Sequence, residues 1–230
     1  MTLSFTIIKN DSVYNKGMAR FMDRAEAGRE LAARLKKFKG DSKAVVVGLP
    51  RGGMVVAFHL AYSLRLPMDF LVAKKLGAPG DPELAIGAVT EDGESYLDEE
   101  IVRGEGVEKI YIEKELREKA EEAKRRTELY RGSKVAPSLA GKTVILVDDG
   151  MATGATMLAA VASAKKREAE RVIVAVPVAS KEAMEKIRAR VDGVVCLKED
   201  RYLSSVGEYY ESFPQVEDSE VMEILKGSDD

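Results

Sequence analysis

The sequence predicts an α/β protein built on a central parallel sheet with helices on both faces. Three observations carry that prediction. Short, β-branched apolar runs at 44–49, 143–149, 171–177 and 193–198 each read as a buried strand. Stretches with helical periodicity follow three of them, at 54–64, 156–167 and 180–190. Two turns rich in small residues, 50–53 and 150–155, directly follow strands. Both therefore belong at the carboxyl edge of one sheet, where open α/β sheets bind ligands.

Taken in order, residues 18–38 carry Phe21, Ala25, Gly28, Leu31, Ala32 and Leu35 at helical spacing and predict an amphipathic helix. Strand 44–49 and helix 54–64 come next, then a neighbouring strand over 68–74 that Lys74 and Lys75 close. The pattern loosens from 75 to 98. Pro79-Gly80-Asp81-Pro82 is a turn cluster, and Glu91-Asp92-Gly93-Glu94 reads as a hairpin turn between strands 85–90 and 95–97. Residues 107–131 predict one long charged helix with i,i+4 pairs Glu113/Arg117, Glu115/Lys119, Glu121/Arg125 and Glu122/Arg126. A solvated face explains it best, with a partner surface as the other reading. No repeat or Pro/Gly/Ser-rich linker divides the chain, so one domain is expected over 1–230. Its core spans about 40–198, with helix 18–38 and tail 199–230 as additions.

Composition narrows the function classes. Hydrophobic residues at 45% of 230 exclude a disordered or membrane-embedded chain. With a net charge of −3, nothing global favours nucleic acid over small metabolites, and no nucleic-acid partner is expected. The apolar stretch at 3–8 is too short for a signal-peptide core or a membrane span, so no membrane partner is expected. The single cysteine, Cys196, excludes an internal disulfide and fits a reducing cytoplasm; it reads as an apolar filler in its strand. His59, alone inside a helix, reads as structural.

The most informative segment runs from Val144 to Thr156. An apolar strand ends in Asp148 and Asp149, then turns through Gly150-Met151-Ala152-Thr153-Gly154-Ala155 into an Ala-rich helix that Thr156 is placed to cap. Ionised carboxylates only accept hydrogen bonds, which suits the hydroxyls of a diol. A helix start presents free N–H groups and a positive dipole end, which suits a phosphate. A phosphate beside a diol describes a ribose 5-phosphate.

That segment resembles the 5-phosphoribosyl-1-diphosphate (PRPP) motif of the type I phosphoribosyltransferases. Gly48-Leu49-Pro50-Arg51-Gly52-Gly53 resembles the family's pyrophosphate loop, and residues 70–75 resemble its next core strand. The text around Arg51-Gly52-Gly53 and Lys75-Leu76-Gly77-Ala78-Pro79-Gly80 resembles one bacterial and archaeal subgroup. The resemblance implies a fold with a hairpin or flexible loop and a small C-terminal hood, a homodimer, and Mg²⁺ bound together with PRPP. It implies that a small heterocyclic base receives the phosphoribosyl group while pyrophosphate leaves. Asp148 and Asp149 would hold the ribose 2′ and 3′ hydroxyls. Gly150, Met151, Ala152, Thr153, Gly154, Ala155 and Thr156 would wrap the 5′-phosphate. Arg51, Gly52 and Gly53 would meet the pyrophosphate, and Lys74 and Lys75 would neutralise it, although simple strand-end solvation explains one lysine nearly as well. No residue is assigned as a metal ligand.

Two positions depart from common versions of the motif. Gly150 stands where a branched aliphatic is usual, which is expected to loosen the loop. Ala152 stands where 6-oxopurine enzymes carry an Asp that protonates the base, so adenine, uracil or another heterocycle is the expected acceptor. Tyr202, Tyr209, Tyr210 and Phe213 either stack on that base or pack in the core. Two rival readings are a non-catalytic PRPP-sensing regulator and a PRPP synthetase-like diphosphokinase.

Overall fold

The computed structural model describes residues 20–227. Segment 3–8 and the first two positions of the helix expected over 18–38 lie outside the described residues. In chain order the elements begin with α1 (Arg24–Arg34), β1 (Ala44–Gly48), α2 (Gly52–Leu64), β2 (Met68–Phe70), β3 (Ala73–Ala78), β4 (Asp81–Thr90) and β5 (Ser95–Leu97). There follow α3 (Glu99–Gly104), α4 (Lys109–Arg131), β6 (Thr143–Val147), α5 (Ala155–Lys166), β7 (Arg171–Ser180), α6 (Lys181–Arg188), β8 (Gly193–Asp200) and α7 (Asp218–Gly227).

Five strands form a parallel sheet in the order β2-β1-β6-β7-β8. Every residue of β1 and β6 is buried, as their uninterrupted apolar runs require. Alternate side chains leave opposite faces. Val46, Ile145 and Ile173 pack against Leu31, Leu35, Val56 and Leu60 of the α1–α2 layer. Val45, Leu146 and Val174 pack against Leu158, Val161, Met184 and Ile187 of the α5–α6 layer. The expected sandwich of helices around a parallel sheet is present.

Helix α1 is shorter than the apolar spacing predicts. Asp23 caps it, its side chain accepting from Glu26 N at 2.8 Å. Phe21, counted as helical from spacing alone, instead pairs with Tyr210 in the C-terminal segment. Gly28 does lie on the packed face, where an added Cβ would stand 2.5 Å from Val56 O. His59 flanks the same crossing, its Cβ 2.9 Å from that added Cβ, and its ring sits edge-on to Phe58.

The expected strand over 68–74 is two strands in two sheets. β2 pairs with β1, the chain crosses through Leu71 and Val72, and β3 pairs antiparallel with β4 in a second sheet of order β3-β4-β5. The apolar run Phe70-Leu71-Val72-Ala73 passes straight through the break and gives no hint of the change. It is made by the end of β4, where Val72 N donates to Glu91 Oε2 and Glu91 N donates to Val72 O. The hairpin turn expected at 91–94 is present, with Gly93 at φ +82°. This second sheet lies between α5 and α4.

The single helix expected over 107–131 begins two residues later as α4, and a separate short helix, α3, precedes it, capped by Asp98. None of the four expected i,i+4 pairs forms. Glu122 instead meets Lys119 and Lys74, and Arg126 reaches Asp218 of α7. Nor is α4 only a solvated face: Ile112, Ala123 and Tyr130 are buried against the second sheet and α7. Arg131 joins it to the core sheet through Asp69 at 3.0 Å. No described helix is long and apolar enough to cross a membrane. Cys196 packs against the core as expected, its thiol pushed up to about 12 by burial.

Candidate active site

The order β2-β1-β6-β7-β8 places a topological switch between β1 and β6: the chain leaves β1 toward one edge and later resumes on its other side. Such a switch opens a crevice at the carboxyl ends of the two strands. Both candidate loops start there, with Gly48 and Val147 in register and Leu49 N donating to Val147 O at 2.8 Å. The Pro50–Arg51 peptide is cis.

The two loops touch through a specific pairing. A Cβ on Gly52 would stand 1.9 Å from Asp149 Oδ2, and a Cβ on Gly53 would stand 2.8 Å from Asp148 Oδ1 and 2.9 Å from Asp148 Cα. Each glycine of the first loop thus makes room for one carboxylate of the second. Asp148 Oδ1 accepts from Asp149 N at 2.8 Å. Burial, and then the charge of Asp149, push the Asp148 carboxyl well above the usual carboxylate range, while Lys75 pulls it back.

Asp149 is held from outside the motif. Arg24 Nε donates to its Oδ2 at 2.8 Å, and the Tyr210 hydroxyl donates to its backbone carbonyl at 2.6 Å. At its other end Arg24 donates from Nη1 to Pro214 O at 2.8 Å, with its guanidinium 3.7 Å from the centre of the Phe213 ring. Burial, and then the nearby Asp149 charge, push the Tyr210 hydroxyl up. Sequence reasoning missed Arg24. The available signal was an arginine on the buried face of an amphipathic helix. Tyr209 and Tyr210 are buried around Phe21, Phe213 is exposed but lies against Tyr210 and the Arg24 guanidinium, and Tyr202 is exposed.

The two lysines separate. Successive residues of β3 face opposite ways. Lys74 turns to Glu122 on α4, 3.6 Å away, and burial with the Arg126 charge pulls its pKa down. Lys75 is exposed on the other face, and its charge reaches Asp148. They begin a strand of the second sheet rather than closing one of the first, which corrects the expectation for both.

Within the PRPP-like loop the residues divide by task. Met151 is buried and bridges to β7, its N donating to Val178 O and its O accepting from Ser180 N. Ala152 is exposed, and its carbonyl accepts from the Ser180 hydroxyl at 2.6 Å. Gly154, at φ +78°, immediately precedes α5 and supplies no side-chain cap. Thr156 therefore lies inside the first turn rather than capping it, and Thr153 Oγ1 accepts from Ala155 N at 3.4 Å. Gly150 does not loosen the loop. Val206 of the tail fills the space, and a Cβ on Gly150 would meet its methyls at 2.4 and 2.6 Å. Arg51 points from its loop to Glu217 at 3.3 Å.

The chemistry available is a crevice with paired carboxyls at its floor, an uncapped helix start on one side, and Arg51 and Lys75 as cations. No group of three or more His, Cys, Asp or Glu residues suited to a metal occurs among the described residues. With Asp149 engaged by Arg24, these residues do not build a resident cation site, and they fit Mg²⁺ only as an ion carried in on a diphosphate.

An open parallel sheet with these two loops at its switch point is the frame of the type I phosphoribosyltransferase fold. The family model for the phosphoribosyl transferase domain matches residues 19–212, and the chain belongs to that family. Proteins of two Mycobacterium tuberculosis strains, CDC 1551 and H37Rv, provisionally named as phosphoribosyl transferases, are each 41% identical to it over 208 residues. That alignment covers 90% of this chain and 47% of each relative, so the chain spans about half the length of these curated relatives. The crystal structure of TT1426 from Thermus thermophilus is 43% identical, with a TM-score of 0.75, over 90% of this chain and 97% of that one.

Proposed function

We propose that this protein binds Mg²⁺-PRPP and transfers its 5-phosphoribosyl group to a nitrogenous base, releasing pyrophosphate. The observation that carries the reading is the contact between the loops, with Gly52 and Gly53 against the carboxyls of Asp149 and Asp148. It puts a diphosphate-suited turn within one residue of a diol-suited pair, as a single PRPP molecule requires.

In this reading Asp148 and Asp149 accept from the ribose hydroxyls, and the start of α5 receives the 5-phosphate. Arg51 offers its planar fork to the diphosphate, and Lys75 adds a second cation. The bond from the anomeric carbon to the diphosphate oxygen breaks, and a bond to the base nitrogen forms. The acidic pair then faces the positive charge that builds on the sugar. Mg²⁺ would enter on the diphosphate and offset the leaving group's charge.

The expected acceptor follows from the residue type at position 152. In residues 91–100, Glu91 is bonded to Val72 N, Asp92 to Ser163, Glu94 to Lys166 and Asp98 to Lys186, which leaves Glu99 and Glu100 at the exposed start of α3. With Ala152 supplying no acid from the loop itself, hypoxanthine and guanine are expected to react poorly, and adenine, uracil or another heterocycle better. Calorimetry with Mg²⁺-PRPP, followed by PRPP consumption across a panel of bases, tests the reading. Binding with turnover of at least one base is expected. An absence of PRPP binding overturns it, and binding without turnover replaces it with a PRPP sensor.

A further inference from the structure

Arg24 is the least expected feature of the site. It lies 125 residues from Asp149 in sequence, on a helix outside the two loops, and both members of the pair are largely buried, with side chains 8% and 17% exposed. A buried ion pair seldom adds net stability over an apolar replacement, so stability alone does not account for it. Its geometry does describe a function. The guanidinium binds Asp149 with Nε, the Pro214 carbonyl with Nη1, and lies over the Phe213 ring. The same tail returns to Asp149, because the Tyr210 hydroxyl donates to its carbonyl. Arg24, Asp149 and the tail segment 210–214 thus close a ring of contacts around one carboxylate.

The carboxylate so held is one of two that lie side by side, Asp148 Oδ1 accepting from Asp149 N at 2.8 Å. Burial, and then the charge of Asp149, push the Asp148 carboxyl up. The Arg24 bond to Oδ2, at 2.8 Å, sets where the Asp149 carboxyl points. We propose that Arg24 is a positioning residue for ribose recognition: it fixes the direction of the Asp149 carboxyl and makes that fixation depend on the docked tail. This rests on the phosphoribosyl reading above and deepens it, since it assigns control of the ribose subsite to residues outside the motif.

The test compares ribose 5-phosphate with inorganic pyrophosphate, because only the first needs Asp149. In the full chain, Arg24→Gln is expected to weaken ribose 5-phosphate by roughly ten- to hundredfold, the equivalent of one hydrogen bond between charged groups, and to leave pyrophosphate binding unchanged. Arg24→Lys keeps the charge and should recover part of the loss. Phe213→Ala, which removes only the ring under the guanidinium, should show a smaller loss with the same ligand selectivity, and it carries the comparison if Arg24→Gln does not fold. Equal losses for both ligands would make Arg24 merely structural and overturn the proposal. So would unchanged ribose 5-phosphate binding, or a lysine variant no better than glutamine. Wild-type protein that binds neither ligand would remove the functional reading and this proposal together. Wild-type binding without the selective loss would remove this proposal alone.

Discussion

Replacing Gly52 by alanine tests whether the two loops are as closely fitted as their geometry implies. The new Cβ would lie 1.9 Å from Asp149 Oδ2, 2.7 Å from its Cγ and 3.0 Å from Arg24 Nε. A long, free side chain would swing away from such a contact cheaply. Asp149 is short and is held by Arg24 at 2.8 Å, so something must give. Keeping the bond overpacks the crevice at about 1–3 kcal/mol, and breaking it forfeits a charge-assisted bond at about 1.5–3 kcal/mol. Alanine returns up to about 1 kcal/mol through the backbone entropy that glycine loses in a helix. The balance is a loss of about 1–2 kcal/mol, or a fall in Tm of about 2–8 °C for a chain of this size. Thermal unfolding followed by circular dichroism measures it. Gly104→Ala is the control: nothing lies within 4 Å of its Cβ position, and it should be neutral or raise stability by up to about 1 kcal/mol. A Gly52→Ala protein with wild-type Tm and wild-type PRPP binding would refute the reasoning.

Three other expectations are independent of it. Gly150→Val should destabilise the protein, and Val206→Ala should restore much of the loss in the double variant, since the two positions share one space; additive losses in a denaturation cycle would contradict that. Lys75→Met should weaken pyrophosphate binding in calorimetry more than Lys74→Met, because Lys74 is engaged by Glu122; the opposite ranking would reverse their assignment. Burial raises the Glu91 carboxyl to about 7. Its contribution is therefore fully present below the unfolded value near 4.5 and is lost as pH rises through about 7. Glu91→Gln should accordingly gain on wild type in denaturation midpoint between pH 5 and pH 8, and a constant difference would count against a buried, neutral Glu91.

The alternation of strands and helices was legible because burial on both faces forces continuous apolar runs, as in β1 and β6, and because helices must present a periodic stripe. Helix α7 was also legible in principle: Asp218 and Glu220 mark its first turn, and Val221, Ile224 and Leu225 give helical spacing. The break between β2 and β3 was not. Phe70 to Ala73 reads as one apolar run, and the decision rests on a hydrogen bond that Val72 N donates to a carboxyl group nineteen residues away.

The loops at 50–53 and 150–156 were written into the sequence because each is local: a strand end, small residues and a helix start are neighbours along the chain. Their being one site depended on strand order, which only the fold supplies. Arg24 on Asp149, Tyr210 on its carbonyl, Val206 over Gly150 and Glu217 on Arg51 join positions from 56 to 166 residues apart. The chemistry of the site was legible in two short loops, whereas the orientation of its carboxylates was decided by tertiary packing, because it depends on which distant side chains share their buried space.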